Sequence, residues 1–342
     1  MLVTPSSRRG PCDLQTTQIF KINMNKILGI GNAIVDVLCK IDDQFLAENG
    51  LVKNSMSLID NDTTQKLAEL KSEKITSGGS VGNTIAALSQ LGCASSFIGK
   101  VGNDEFGKKY ISEITKTGAE FVSNETHPNF SAKSFILVTP DAQRTMCTFL
   151  GCASEITEND IDEKDFEGAS ILYLEGYLWD APNTIKALKK AIKLAKKNDV
   201  KVAFSLSDSF CVSRHKDDFL SLVQNDLDIL FANESEALQL SENLSELFSY
   251  NEKLIAVITK AEKGCEVFFE GKSFSSPASK ISKLVDTTGA GDAFAAGFLY
   301  GLVNDFELEE AAHFGNLIAA KIIQKFGARF EEEEIQEFFR TR

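Results

Sequence analysis

The stretch Val285-Asp286-Thr287-Thr288-Gly289-Ala290-Gly291-Asp292-Ala293-Phe294 constrains this chain more than any other. A short strand is expected to stop at Asp286, and an amphipathic helix to begin near Ala290 and run into Ala295-Ala296-Gly297-Phe298-Leu299. The glycines then fall where a strand gives way to a helix N-terminus. That position favours an anion: first-turn amides lack intrahelical partners, the helix dipole adds positive potential, and Gly289 and Gly291 let backbone approach a phosphate. Asp292 is the odd member. A carboxylate in an anion-favouring turn either caps the helix or, facing a substrate hydroxyl, takes its proton. For a short glycine motif alone, capping is the simpler account.

The surrounding pattern is an α/β alternation. Apolar runs at Lys26–Gly31, Ser96–Gly99, Ala119–Val122, Ile171–Leu174, Val200–Leu206, Leu227–Phe231 and Leu254–Thr259 read as strands of a mostly parallel sheet. Helical patterns separate them at Ser80–Leu91, Asp104–Thr117, Asn183–Lys197 and Ser213–Gln224, and a last helix covers Leu308–Gln324. The rhythm breaks twice. Val37–Ile41 and Ser55–Ile59, the latter before a helix at Asp62–Leu70, and then Ser134–Val138 and Arg144–Phe149 around Pro140, read as strands and a hairpin outside that alternation. Cys265–Phe269 and Ser273–Ser275 predict a second hairpin.

With 342 residues and 43% apolar content the chain can bury one large α/β core. Its net charge of -13 argues against a nucleic-acid or anionic-membrane surface, and no apolar run is long enough for a membrane span. The seven cysteines (Cys12, Cys39, Cys93, Cys147, Cys152, Cys211, Cys265) never form C-x-x-C and read as reduced thiols in a cytoplasmic protein without a zinc site. His127, His215 and His313 match no ligand pattern. Residues 1–23 lack the apolar core of a secretory signal and read as an extension or tag, so the fold is expected to occupy 24–342, starting at Met24.

D-T-T-G-A-G-D-A-F resembles the C-terminal signature of the ribokinase-like (PfkB) carbohydrate and nucleoside kinases, and Gly78-Gly79-Ser80-Val81-Gly82-Asn83 through Gly99–Gly107 resembles their N-terminal signature. The resemblance covers roughly Met24 to Arg329 and implies a doubly wound sheet with a small β-sheet lid over the substrate, its strands drawn from about 34–60 and 121–150. It also implies a phosphotransferase using ATP and magnesium, with Asp292 as base and the amides of Gly289, Ala290 and Gly291 holding the phosphoryl charge. G-N-A-I-V-D is similar to the family segment whose aspartate binds two sugar hydroxyls, which carries that role to Asp36 beside Asn32; Gly78, Gly79 and Asn83 match positions that touch the sugar. Arg144 resembles a lid arginine that reaches the phosphoryl group, as a guanidinium fork suits phosphate.

Asn233-Glu234-Ser235-Glu236 resembles the family's N-x-x-E motif, with Glu236 on the magnesium side, although an N-capped acidic helix start competes with that reading. Thr259 and Gly264 lie where relatives contact ATP, Asn316 is expected beside the adenine, and Asp286 with Thr288 resembles a monovalent-cation site that admits potassium. No G-x-x-x-x-G-K-[ST] occurs, so the phosphate cradle is not of the Walker type. The segments G-N-A-I-V-D, D-A-Q-R-T-M and L-E-G-Y-L-W-D are together most similar to adenosine-kinase-like members, implying adenosine converted to AMP. Ribokinase- or fructokinase-like sugar phosphorylation is the alternative, and a non-catalytic ligand-binding pseudokinase a further one. Both a monomer and a lid-mediated dimer stay open. Tyr173, Tyr177 and Trp179 either stack on a base or pack, with packing favoured for each.

Overall fold

A computed structural model describes residues 25–331, except 54, 123–126, 142 and 250, together with residue 334; the expected extension 1–23 and start at Met24 lie outside these residues. The strands are β1 Lys26–Ile30, β2 Ile34–Lys40, β3 Met56–Leu58, β4 Ser72–Ser77, β5 Ser95–Ile98, β6 Glu120–Val122, β7 Ala132–Val138, β8 Arg144–Phe149, β9 Ala169–Glu175, β10 Lys201–Ser205, β11 Ile229–Asn233, β12 Ile255–Thr259, β13 Cys265–Phe269 and β14 Lys272–Ser276. The helices are α1 Asp43–Glu48, α2 Asn61–Ala68, α3 Ser80–Gln90, α4 Glu105–Lys116, α5 Pro182–Lys197, α6 Ser209–Asn225, α7 Glu234–Leu240, α8 Leu244–Ser249, α9 Ala290–Val303 and α10 Leu308–Ile322.

Among the described residues, nine strands form one sheet in the order β14-β13-β12-β11-β10-β9-β1-β5-β6. Pairing is parallel from β12 to β6, and only the β13–β14 hairpin runs antiparallel at one edge. Both faces are covered, which is why these strands read as near-continuous apolar runs. One core includes Ile27, Val81, Ile85, Phe97, Phe294 and Phe298 beneath α3, α4, α9 and α10; the other includes Leu28, Leu172, Trp179, Leu188 and Phe219 beneath α5 and α6. The order of connection reverses between β1 and β9, the place where open α/β sheets collect ligands at their carboxyl ends.

The second sheet runs β3-β8-β7-β2-β4 and forms the lid, with Val37, Phe135, Leu137 and Cys147 packed beneath it. Two details differ from the sequence expectation. The lid includes β4, whose polar sequence S-E-K-I-T-S offers one apolar anchor and no clean alternation. Residues 121 and 122 instead belong to β6, which pairs with β5 in the large sheet. The expected strand ending at Asp286 is also absent: residues 277–288 form no strand, and the N–H groups of Val285 and Asp286 both donate to Ile323 O. Nor is α9 amphipathic. It is buried from Ala293 to Leu299 without interruption, because α10 lies along it and α3 covers another side. A helix apolar all round is what such a central position requires.

Candidate active site

The site is built where the ends of β1 and β9 meet the start of α3. Glu175, the last residue of β9, is fully buried and accepts from three N–H groups: Asn32 N (2.8 Å) and Nδ2 (2.9 Å) on one oxygen, and Val81 N (2.9 Å) on the other. It ties the exit of β1 to the first turn of α3. Gly79, at φ +83°, permits this approach, since a Cβ there would stand 2.2 Å from Asn32 O. A Cβ on Gly78 would stand 2.3 Å from Asp36 Oδ2. The two glycines thus make room for neighbouring protein groups. Asn32, 3% exposed, spends its side-chain donor on Glu175.

Asp292, in the first turn of α9, points across to α3. Its Oδ1 accepts from Ser80 Oγ at 2.6 Å and its Oδ2 from Asn83 Nδ2 at 2.9 Å, while Thr84 Oγ1 donates to its carbonyl. It is therefore not an N-cap: that position belongs to Gly289, in the left-handed region at φ +76° with Ala328 Cβ 2.5 Å from where a Cβ would stand. Above Gly291 is open space, with no heavy atom within 4 Å of a Cβ built there. The Ala290 N–H donates to Thr287 O at 3.1 Å.

The lid reaches this turn through Arg144. Its Nη1 donates to Asp286 Oδ1 at 2.6 Å and to Thr288 Oγ1, and the guanidinium lies over the Phe326 ring. Asp286 also accepts from Thr288 N and Gly327 N. The carboxylate expected to serve a monovalent cation is here neutralised by Arg144. A cleft of about 600 Å³ opens between lid and body, lined by Asp36, Leu38, Ile136, Arg144, Thr288 and Phe326 among others. It stops short of Asp292, whose oxygens are turned to Ser80 and Asn83.

The remaining expected residues stand apart from this cluster. Asn233 and Glu236 form a capping box at the start of α7, the Glu236 oxygens accepting from Asn233 N (2.9 Å) and Nδ2 (2.6 Å). The rival structural reading of N-x-x-E is thus realised. Among the described residues no three His, Cys, Asp or Glu side chains gather into a metal cage. The donor chemistry fits magnesium arriving with a nucleotide, since that ion keeps several waters and needs only one or two protein oxygens; Asp208 faces Glu236 and adds a second carboxylate. Thr259 ends β12 and donates to Ala232 O, and Gly264, at φ +92°, turns the hairpin where a Cβ would stand 2.1 Å from Ser276 O. Asn316, 6% exposed on α10, donates to Ser276 O and Oγ. Tyr173 and Trp179 pack edge-on against Phe231, Phe204 and Phe219, so neither is available to stack on a base.

Two participants escaped the sequence reading. Glu175 ends an apolar parallel strand at its carboxyl end, a lone charge that position could have flagged. Arg329 lies in an irregular segment after α10 and carries no pattern. Its Nε donates to Asn83 Oδ1 at 3.1 Å, its Nη1 to Ser77 Oγ and its Nη2 to Gly78 O.

Burial is the first cause that pushes the carboxyls of Asp36, Glu175 and Glu236 up to about 7 and that of Asp292 up to about 6. A carboxyl with a higher pKa folded than unfolded binds more protons when folded. Its stabilisation is complete below the unfolded values of 3.8 and 4.5 and disappears as pH rises through the folded values. Asp286, Asp104 and Asp160 are shifted down, so their opposite effect falls below that window. The empty protein is accordingly expected to melt at a lower temperature at pH 7.5 than at pH 5.5 by scanning calorimetry; a higher Tm at pH 7.5 would contradict these assignments.

A doubly wound sheet with a β lid closing on a glycine turn and an aspartate defines a ribokinase-like α/β kinase fold. The model for pfkB family carbohydrate kinases matches residues 49–335, and the chain belongs to that family of phosphotransferases acting on hydroxyl groups. The crystal structure of adenosine kinase from Sinorhizobium meliloti is similar with a TM-score of 0.84 and 35% identity, covering 93% of this chain and 100% of that one. Adenosine kinase of Saccharomyces cerevisiae is 28% identical over 334 residues, 90% of this chain and 97% of its own length. A 5-dehydro-2-deoxygluconokinase of Clostridium botulinum is 27% identical over 303 residues, 82% of this chain and 89% of its own.

Proposed function

We propose that the protein transfers the γ-phosphoryl group of ATP to the 5′-hydroxyl of a ribonucleoside, adenosine giving AMP. One face of the lid carries this reading. Asp36, Ser134 and Thr148 lie abreast across β2, β7 and β8, and the next row on the same face is Leu38, Ile136 and Met146, with Met56 beyond. A two-residue step along a strand is about 6.6–6.8 Å. That spacing suits a ribose whose hydroxyls are bound by Asp36 and whose flat base lies against Leu38 and Ile136, both of which line the cleft. A free sugar would leave this apolar row facing water.

In the transfer, the 5′-oxygen forms a bond to the γ-phosphorus, the bond from that phosphorus to the bridging oxygen breaks to release ADP, and the hydroxyl proton passes to Asp292. The N–H groups of Gly289 and Gly291, joined by that of Ala290 once it leaves Thr287 O, hold the charge on the phosphoryl oxygens. Asn32, Gly78, Gly79 and Asn83 frame the ribose side of the site; Thr259, Gly264 and Asn316 frame the nucleotide side. Arg144 moves from Asp286 to the phosphoryl oxygens as the lid closes, excluding water whose attack would waste ATP. Magnesium, when bound with ATP, screens the phosphate charge, and Glu236 through water and Asn233 are the groups that would hold it. Asp286 and Thr288 become a potassium site only in the state where Arg144 has left them. AMP as product would make the enzyme a purine-salvaging one, and the six buried, unpaired cysteines among the described residues support a cytoplasmic location.

The test is ADP release with ATP and magnesium against adenosine, inosine, ribose and fructose in parallel, with and without potassium. Turnover with adenosine and not with free sugars is expected. Turnover with a free sugar alone would move the chain to the sugar kinases, a reading that the Clostridium botulinum relative supports. Silence with all four would favour the pseudokinase, against which stands the presence of Asp292, Gly289, Gly291, Asn83 and Asp36.

A further inference from the structure

Arg329 is half-buried between α3, β4 and α4, with Tyr110 presenting its ring 5.8 Å from the guanidinium carbon. Its contacts leave Asn83 one orientation. With the amide oxygen accepting from Arg329 Nε, the amide nitrogen must donate to Asp292 Oδ2; reversed, it would set donor against donor at Arg329 and acceptor against acceptor at Asp292. Two further bonds, to Ser77 Oγ and Gly78 O, pin the guanidinium to the segment that packs on Asp36. We propose that Arg329 is a positioning residue of the phosphoryl-transfer site: through Asn83 it fixes the carboxylate of Asp292, and its charge lets Asp36 and Asp292 stand ionised together. The proposal rests on the reading of Asp292 as the base.

The electrostatics favour it. Asp292 is faced by Ser80, Asn83 and Thr84 of α3, by Asp36 of the lid, by Tyr173 and Glu175 of β9, and by Arg329. Asp36 is faced by Asp292, by Tyr110 of α4 and by Arg329. Arg329 is the cation in this set, and it opposes the upward push of burial on both carboxyls. Without it, two carboxyls that already repel one another would hold their protons to higher pH, and Asp292 in that form accepts none from a substrate.

The experiment is the pH dependence of kcat/KM for adenosine phosphorylation by the full chain and by Arg329→Met, Arg329→Lys and Asp292→Asn. The unaltered protein should lose activity as pH falls from about 7 to below about 6, where Asp36 and then Asp292 gain their protons. In Arg329→Met that limb should move up by about one pH unit or more, with kcat reduced roughly 10²-fold by the loosened Asn83. Arg329→Lys keeps the charge and loses the fork, so its limb should stay in place while kcat falls. A limb unmoved in Arg329→Met, with Asp292→Asn inactive, overturns the role of Arg329 and leaves the base intact. Turnover retained in Asp292→Asn overturns the base itself. Should Arg329→Met fail to fold, Arg329→Lys decides: a displaced limb or an undiminished kcat overturns the proposal.

Discussion

Asp292→Asn is expected to lower kcat by roughly 10²–10⁴-fold, the range a positioned general base contributes, with the fold and ATP binding retained. The amide is nearly the shape of the carboxylate: its oxygen can still accept from Asn83 Nδ2 as Asp292 does at 2.9 Å, and its NH2 can donate to Ser80 Oγ. What it cannot do is take a proton. Because phosphoryl transfer runs through a loose transition state, charge stabilisation by the turn Gly289–Gly291 persists in the variant, and residual activity above the uncatalysed rate is expected. Near-normal steady-state turnover with adenosine would mean that Asp292 only braces α3 against α9.

Glu175→Ala is expected to destabilise the protein by about 2–4 kcal/mol. Three N–H donors at a buried junction lose their acceptor, and an unpaired buried donor costs about 1–3 kcal/mol. Two effects hold the sum below three full penalties: removing the side chain also removes a carboxyl that is costly to keep ionised in this setting, and water can enter the space left behind. Calorimetry should show Tm falling by several degrees, roughly 2–4 °C per kcal/mol for a large domain. An unchanged Tm would mean that the β1–α3 junction is held by packing rather than by this carboxylate.

Much of the fold was legible because six neighbouring strands are buried on both faces, and burial writes apolar runs such as I-L-Y-L and V-A-F-S into the chain. The hairpin of β7 and β8 was legible for the opposite reason, as strand, turn residues and strand in close succession. Strand β4 was not: it is an edge strand, E-K-I-T with three polar residues, and its place depends on pairing with β2 rather than on its own pattern. The two glycine-rich signatures and N-x-x-E marked candidate site residues, several of which also serve local packing and capping. Gly78 and Gly79 accommodate Asp36 and the Asn32 carbonyl, and Asn233 with Glu236 closes a capping box, because close protein packing and ligand approach call for the same residue types. Arg329 lay beyond reach, as it acts through Asn83, 246 positions away, whereas Glu175 was signalled only by its place as a lone charge at a strand's carboxyl end, with Asn32 143 positions away.

As proposed, this site makes a nucleoside monophosphate. Incubation with ATP, magnesium and adenosine, followed by separation and quantification of nucleotides with time, tests it most directly. AMP and ADP are expected in equal amounts, with ³¹P NMR placing the new phosphate on the 5′-oxygen. ADP accumulating without AMP, or a phosphate on another hydroxyl, would contradict it.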